Sequence, residues 1–537
     1  MNDGSSLRTL LVGIDAACDR VLAPLFEDDE VPTLESIYRN GTSGSLESQI
    51  PPWTASAWPS LYTGMNPGKH GVFGFLSFDG YDWDVVNSSD VHERTLWELL
   101  DDHGFTSVVV NVPVTHPPRE FDGAVIPGYT APENPDCHPD GLLADVRDAI
   151  GEYRVYPDKD AGDLGQAYSD CVRMRGESFQ YLADRFDPDF GFLEFQATDS
   201  IFHEEPENDA AIRTIYRELD RQLDSILEAH EPENVIVVSD HGMGPYDGTE
   251  FRVNEFLRGE GHVETKRGGE GMPTWATVRD DNLKRGIDAD EYEPGLAERT
   301  MASAAKVGLT SQRIGAVLER LGLDEFVATR APASVVGAGS DQVDFPNSAV
   351  YVRSRIELGV RINLEGRDPD GVVPAAEYET VRVQLIDALR SVRTPDGDPV
   401  FEEVRPREEY FHGPESDRAV DVVTVPADFD HFLSATLRGE RFGPPSEPWN
   451  HKLQGTFAAC GTDVDHAAGL GDAHLFDVTP TVLATFGVPV DERMDGSPLP
   501  CVESPGTQSY PRFDGISSTD TADEGVERRL ADLGYLE

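Results

Sequence analysis

Four short apolar runs, three of them closing on polar residues, set the strongest constraint on how this chain can fold. They are LRTLLVGID (7–15), TSVVVNVPV (106–114), FGFLEFQATD (190–199) and NVIVVSDHG (234–242). Runs of this length, rich in Val, Leu, Ile and Phe, read as buried strands. Before the last of them lies AIRTIYRELDRQLDSILEAH (211–230), where Ile212, Ile215, Leu219, Leu223 and Ile226 recur at helical spacing on one face. Alternation of strand and helix predicts an α/β fold, a doubly wound, mostly parallel sheet with helices on both faces. Ligands of such sheets bind beyond the carboxyl ends of the strands. The polar residues there are Asp15, Asp199, Asp240 and His241.

The texture changes between 256 and 345. RGGEGMPTWATVRDDNLKRG (267–286) reads as loop, and TSQRIGAVLERLGLDEFV (310–327) as an amphipathic helix on Ile314, Val317, Leu318 and Leu321. This segment is expected to be an insertion, cap-like and helical, between a first part of the main domain (1–255) and its remainder (346–502). Strand patterns resume with SAVYVRS, GVRINLEGRD and AVDVVTVP. Residues 503–537 read as a Ser/Thr/Gly-rich linker and a short terminal helix.

Charge narrows the partners. Of 537 residues, 99 are acidic and 44 basic, a formal charge of -55, and only six of the basic residues are lysine. The acid is spread along the whole chain, which reads as a solvated surface adapted to high salt, where ions screen self-repulsion. Nucleic acid is a poor partner, because phosphate binding needs clustered cations. The five cysteines are scattered and have no CxxC spacing, so they indicate neither a disulfide framework nor a cysteine metal site. No stretch approaches the ~20 apolar residues of a membrane span. The start, MNDGSSLRTL, has no signal-peptide pattern, and a cytoplasmic location is expected. Oligomeric state cannot be read from the chain.

The remaining chemistry concentrates in a few residues. Asp199 and His203 stand four apart, Asp240 and His241 are adjacent, Asp15 ends the first run, and His451 opens HKLQGTFAACG, with His466 and His474 as nearby alternatives. A lone Asp at a strand end is usually a helix cap, and each residue alone has an ordinary structural reading. Their coincidence at one sheet edge favours divalent cations. Asp with His suits Zn²⁺, and also Mn²⁺ or Fe, better than Ca²⁺ or Mg²⁺. Two ions about 4 Å apart account for the inventory better than one. Thr54 lies near the start of PPWTASAWPSLYTGMNPGKHG (51–71), read here as a turn. Its hydroxyl is inert at neutral pH unless activated. Competing motifs fail: GMNPGKH is one residue short of a P-loop and lacks its hydroxyl, GTSGS lacks the last glycine of a nucleophile elbow, and no His-Glu-x-x-His occurs.

In combination and in order, VGIDA, PPWTASAWPSLYTGMNPGKHG, DSIFH, VVSDHGMG and HKLQGTFAACG resemble the type I phosphodiesterase/nucleotide pyrophosphatase family of the alkaline phosphatase superfamily. VNVPVTHPPREFDGAVIPGYTAP, GVRINLEGRDPDGVV, DVTPTVLATFGVPVDERMDG and LADLGYLE extend the likeness over most of the chain outside 256–345. The resemblance implies an alkaline-phosphatase-like fold, two metal ions, usually zinc, and a phosphothreonine on Thr54. Carried over by position, Asp199, His203 and His451 would hold one ion; Asp15, Asp240 and His241 would hold the other, with Thr54 bridging toward it. The implied substrate is a small phosphate ester, cleaved at a diester or pyrophosphate bond. One departure stands out. Nucleotide-cleaving members place an asparagine 21 residues after the threonine, and Phe75 occupies that position here. Lys69 is the candidate replacement for holding a phosphoryl oxygen, and Phe75, with Trp58 and Phe73, is either core or a substrate wall. Phosphomonoesterases, phosphonate hydrolases and phosphomutases of the same superfamily are the alternative readings, together with a non-catalytic metal-binding member. Sulfatases are disfavoured, since Thr54-Ala55-Ser56 lacks their Cys/Ser-x-Pro-x-Arg setting.

Overall fold

The apolar runs pair into one seven-stranded sheet. This is seen in a computed structural model that describes residues 7–158, 162–267, 341–513 and 524–532. Its strands are β1 (Thr9–Ile14), β2 (Thr42–Glu47), β3 (Ser107–Val110), β4 (Gly123–Ile126), β5 (Phe190–Phe195), β6 (Asn234–Val238) and β7 (Gln454–Gly461). They lie in the order β2-β7-β6-β1-β5-β3-β4. β6, β1, β5, β3 and β4 run parallel, and β7 is inserted antiparallel between β6 and β2. Every residue of the five parallel strands is buried. Burial on both faces is why these strands read as continuous apolar runs and not as alternating ones. β2, at the edge, has the sequence TSGSLE and is exposed except at Thr42 and Leu46, a polar edge that discourages further pairing.

Helices cover the sheet from both sides. The relevant ones are α1 (Thr54–Thr63), α2 (Leu164–Phe186), α3 (Ala197–Glu204), α4 (Asp209–His230) and α5 (Val478–Thr485). Residues of one parity in β1 face α1 and α5: Thr9 Oγ1 lies 2.7 Å from Thr485 Oγ1, and Gly13 meets the indole of Trp58. Leu10, of opposite parity, lies beside Gly191, against which Phe179 of α2 packs. α4 packs along α2, and it starts two residues before the apolar pattern because the Asn208 side chain caps it, accepting from Ala211 N–H.

Two runs are shorter as strands than their apolar length suggests. β3 ends at Val110, and β5 ends at Phe195, after which Ala197–Glu204 turns into α3. Asp199 therefore sits in a helix and not at a strand end. Thr54 is likewise the first residue of α1, not part of a turn.

Beyond the main sheet, Val350–Tyr351, Gly359–Ile362, Val422–Pro426 and Phe401–Pro406 form a four-stranded sheet in that order. At the expected insertion, helix Val253–Gly259 runs through position 256, and Thr265–Arg267 pairs antiparallel with Asp341–Val343. The loop and amphipathic helix expected at 267–286 and 310–327 lie outside the described residues, apart from Arg267. In the segment expected as linker, Thr507–Gln508 pairs with Val490–Asp491, and a final helix, α6, spans Glu524–Asp532. Among the described residues no helix is long and apolar enough to cross a membrane.

Gly13 shows how tightly the sheet is fitted to α1. A Cβ there would lie 2.5 Å from the Trp58 ring and 3.2 Å from the Glu194 side chain. Gly13→Ala is expected to destabilise the fold by about 1–3 kcal/mol through overpacking. Urea unfolding of both proteins checks this, and an unchanged midpoint would contradict the packing.

Candidate active site

Three carboxyl ends at the middle of the sheet deliver the titratable residues. β1 delivers Asp15 one residue past its end, and Ala16 then takes a left-handed φ of 62° that turns the chain away. β6 is followed by Asp240 and His241. β5 leads into α3, whose one-turn spacing puts Asp199 and His203 on the same face. His451 arrives by a different route. After His241 the chain forms the strand Gly242–Pro245, which pairs antiparallel with Trp449–Lys452, setting His451 opposite Met243. That ribbon continues into β7, so the one antiparallel strand of the sheet carries the last histidine to the others.

The side chains form two triangles. In the first, His203 Nε2 and His451 Nε2 each lie 3.3 Å from Asp199 Oδ1 and 3.1 Å from one another. In the second, His241 Nε2 lies 3.3 Å from Asp15 Oδ1 and 3.2 Å from Asp240 Oδ2. The Thr54 hydroxyl is 3.2 Å from that same His241 nitrogen. His241 Nδ1–H donates to Gly242 O at 3.0 Å, and His451 Nδ1–H donates to Pro52 O at 2.7 Å. Each Nε2 is then the bare, lone-pair nitrogen. The rings of His241 and His451 stack, with centroids 3.6 Å apart.

Electrostatics make the same point. All six groups are buried within a cluster of carboxylates. Burial first, then repulsion from Asp240, Asp199 and Glu194, raises the Asp15 carboxyl. Burial pushes Asp240 up to about 8. Burial also opposes ionisation of Asp199, but the His203 and His451 imidazoles against it win and pull its carboxyl down. His203 is raised, because Asp199 outweighs the burial that opposes its charge. His241 and His451 are lowered by burial and stay neutral. Asp15 Oδ1 and both Asp240 oxygens are buried with no hydrogen-bond donor among the described residues. Buried lone pairs that converge without protons are costly unless a cation lies between them. For tetrahedral bonds of 2.0–2.1 Å, the edge between ligand atoms is about 3.3 Å. Both triads fit a divalent cation by donor chemistry and by spacing.

Further residues hold this arrangement. Trp58, one turn beyond Thr54, donates its indole N–H to Asp15 Oδ2 at 3.2 Å. Thr198 Oγ1 donates to Asp15 O at 2.7 Å, and Ser48 Oγ to Asp240 O at 2.6 Å. Behind the cluster Glu194 is fully buried and raised, first by burial and then by Asp240. Asn111 Nδ2 donates to its Oε2 at 2.6 Å, and buried Arg175 donates to Asn111 Oδ1 at 3.1 Å. Sequence reasoning missed Glu194, although an acid inside FGFLEFQ was the available signal.

Other sequence candidates fall elsewhere. Lys69 Nζ is engaged with Asp495 Oδ1 and Arg493 O, each at 2.6 Å. Phe75 is buried edge-on against Tyr129, and Phe73 against Phe411. His474 caps the turn at Leu475–Asp477, and His466 is exposed, so His451 is the histidine of this stretch that joins the cluster.

Residues 9–324, more than half of the chain, match the family model for type I phosphodiesterase / nucleotide pyrophosphatase. Among solved structures, phosphonoacetate hydrolase from Sinorhizobium meliloti 1021, in complex with phosphonoformate, superposes with a TM-score of 0.52 at 16% identity. The match covers 88% of this chain and 94% of that one. The alkaline phosphatase PafA also gives 0.52, at 13% identity, over 93% of this chain and 99% of its own. At such identities the likeness is one of fold. No curated protein sequence matches.

Trp58→Phe keeps the packing of the ring but removes the donor to Asp15. Affinity of the dialysed protein for Zn²⁺ is expected to fall by about 10–100-fold, the usual cost of losing a ligand's supporting hydrogen bond. Competition with a chromophoric chelator measures it. An unchanged affinity would remove Trp58 from the site.

Proposed function

Because the chain belongs to the type I phosphodiesterase/nucleotide pyrophosphatase family, we propose that it is a phosphoryl hydrolase that cleaves phosphodiester or pyrophosphate bonds through Thr54. The supporting observation is the placement of the Thr54 hydroxyl at 3.2 Å from His241 Nε2, on the rim of a triad whose lone pairs converge. Asp199, His203 and His451 would hold one divalent ion, and Asp15, Asp240 and His241 a second. Such ions, zinc by donor set with manganese as the alternative, supply positive charge that lowers the hydroxyl pKa and stabilises a transferring phosphoryl group. Thr54 Oγ1 attacks phosphorus in line with the departing oxygen, giving a phosphothreonine that water then hydrolyses. Thr54 is the first residue of α1, and the first N–H groups of a helix have no intrahelical acceptor. That end of α1 favours the negative charge of the phosphoryl oxygens. Trp58 and Thr198 keep Asp15 oriented, and the stacked imidazoles of His241 and His451 present their bare nitrogens on fixed rings.

Phe75 turns the reading away from nucleotides, since an apolar ring stands where nucleotide-cleaving relatives carry an amide. Lys69, held by Asp495, supplies no replacement in this arrangement.

An ester panel in high salt tests the proposal: bis-p-nitrophenyl phosphate, p-nitrophenyl phosphate, a phosphonate monoester, a sulfate and nucleoside triphosphates. The diester is expected to be the best substrate, and Thr54→Ala to lower its turnover by about a hundredfold or more. Full diesterase activity in that variant would end the covalent mechanism, and a preferred monoester or phosphonate would move the chain to a sibling activity. Chelation is expected to abolish turnover and Zn²⁺ or Mn²⁺ to restore it. Metal analysis should find two equivalents, falling to about one in Asp199→Asn and in Asp240→Asn.

The charge of -55 supports salt adaptation as part of the same proposal. The thermal midpoint is expected to rise between about 0.1 M and about 3 M KCl as self-repulsion is screened. A midpoint that falls over this range would count against it.

A further inference from the structure

A cavity of about 800 Å³ lies beside α3. Asp199 and His203 occupy one row of that helix. Gln196, Ser200 and Glu204, four residues apart in turn, line the cavity from the adjoining row. Tyr129 stands at the inner wall. It lines the cavity, is only 4% exposed, and its hydroxyl has no hydrogen-bond partner among the described residues. Phe75 packs edge-on against the same Tyr129, so the departure seen in the sequence meets the cavity at one residue.

The end of the chain supplies another wall. Helix α6 is anchored by buried Val526 and Leu530 and brings Arg529 to the cavity. The Arg529 guanidinium lies 3.3 Å over the ring of Tyr156, and one of its nitrogens is 3.3 Å from Glu133.

We infer that this cavity takes the organic group of the substrate and that Arg529 sets its class, admitting a polyhydroxylated, sugar-like group and rejecting a nucleobase. The inference rests on the phosphodiesterase reading, because such a group reaches the cavity only as an ester of the phosphate cleaved at Thr54. A nucleobase binds largely by stacking on an aromatic face. The face of Tyr156 is already covered, and uncovering it separates Arg529 from both the ring and Glu133. A second anionic group is also disfavoured. The cavity carries four carboxylates, Glu133, Glu152, Asp158 and Glu204, against three guanidiniums, Arg147, Arg154 and Arg529. Ion pairs hold these groups in place, Glu152 and Asp158 against Arg154 and Glu133 against Arg529, and the remaining lone pairs and N–H groups of such pairs lie side by side, as vicinal hydroxyls that both donate and accept require. Asn134 Oδ1 accepts from Arg147 and Gln196 Nε2 donates to Ser200, so the Asn134 amino group and the Gln196 oxygen add one donor and one acceptor.

Three esters that release p-nitrophenol test this: the p-nitrophenyl esters of methyl phosphate, of myo-inositol 1-phosphate and of thymidine 5′-phosphate. For the wild type, kcat/KM for the inositol ester is expected to exceed that for the methyl ester by about tenfold or more, the contribution of one or two good hydrogen bonds. The thymidine ester should show no such gain. Arg529→Ala should lower the inositol-to-thymidine ratio by about tenfold or more, and Arg529→Lys, which keeps charge but loses the flat stacked group, should move it the same way. If the alanine variant does not fold, the lysine variant decides. A preference for thymidine, or a ratio that neither variant moves, overturns the inference while leaving the phosphodiesterase reading intact. Failure to cleave even the methyl ester overturns the phosphodiesterase reading itself.

Discussion

Mutual repulsion among buried carboxylates is the constraint around which this molecule is arranged. Asp15, Asp199, Asp240 and Glu194 lie out of water at the centre of the sheet, where a charge without a partner costs several kcal/mol. Proteins accept such a cluster when protons, cations or metal ions compensate it. Arg175 answers for Glu194 through Asn111. On the open side Nε2 of His203, His241 and His451 faces the carboxylate oxygens. His241 and His451, kept neutral by burial, present acceptors there, while Asp199 draws His203 toward its charged form.

The sheet topology serves this cluster. Parallel strands bring Asp15 and Asp240 to the same end, side by side, because β1 and β6 are neighbours in register. The β5–α3 connection brings in Asp199 and His203 from the other side of β1. The antiparallel β7 is the exception that completes the site, since only a strand running back along β6 can be preceded by a ribbon that carries His451 to the carboxyl ends. α1 then lays Thr54 across the opening and Trp58 beneath it.

Much of this was legible in the sequence, and what was not has physical reasons. Buried parallel strands declare themselves as continuous apolar runs, so the doubly wound sheet and the polar residues at its edge could be read directly. Run length overstated strand length: the strand stops at Phe195, and QATD, read as the polar close of the run, is the start of α3, with Ala197, Thr198 and Asp199 buried. The turn expected at Thr54 is a helix start, entered directly from Pro51, Pro52 and the N-cap Trp53. His451 could not be chosen over His466 and His474 by spacing, because its place depends on a pairing more than two hundred residues away in the chain. Lys69 offered charge beside the motif, but its partner Asp495 is far along the sequence. Arg529 was invisible for the same reason, its meaning lying in the Tyr156 ring it covers.

The stacking of His241 on His451 joins the two triads through a shared van der Waals surface. Each imidazole is part of the wall that keeps the other in place. Truncating one lets the other tilt, so single substitutions on either ring overstate that residue's own contribution. Their energies will not sum, and only a thermodynamic cycle over both rings can separate ligation from mutual support.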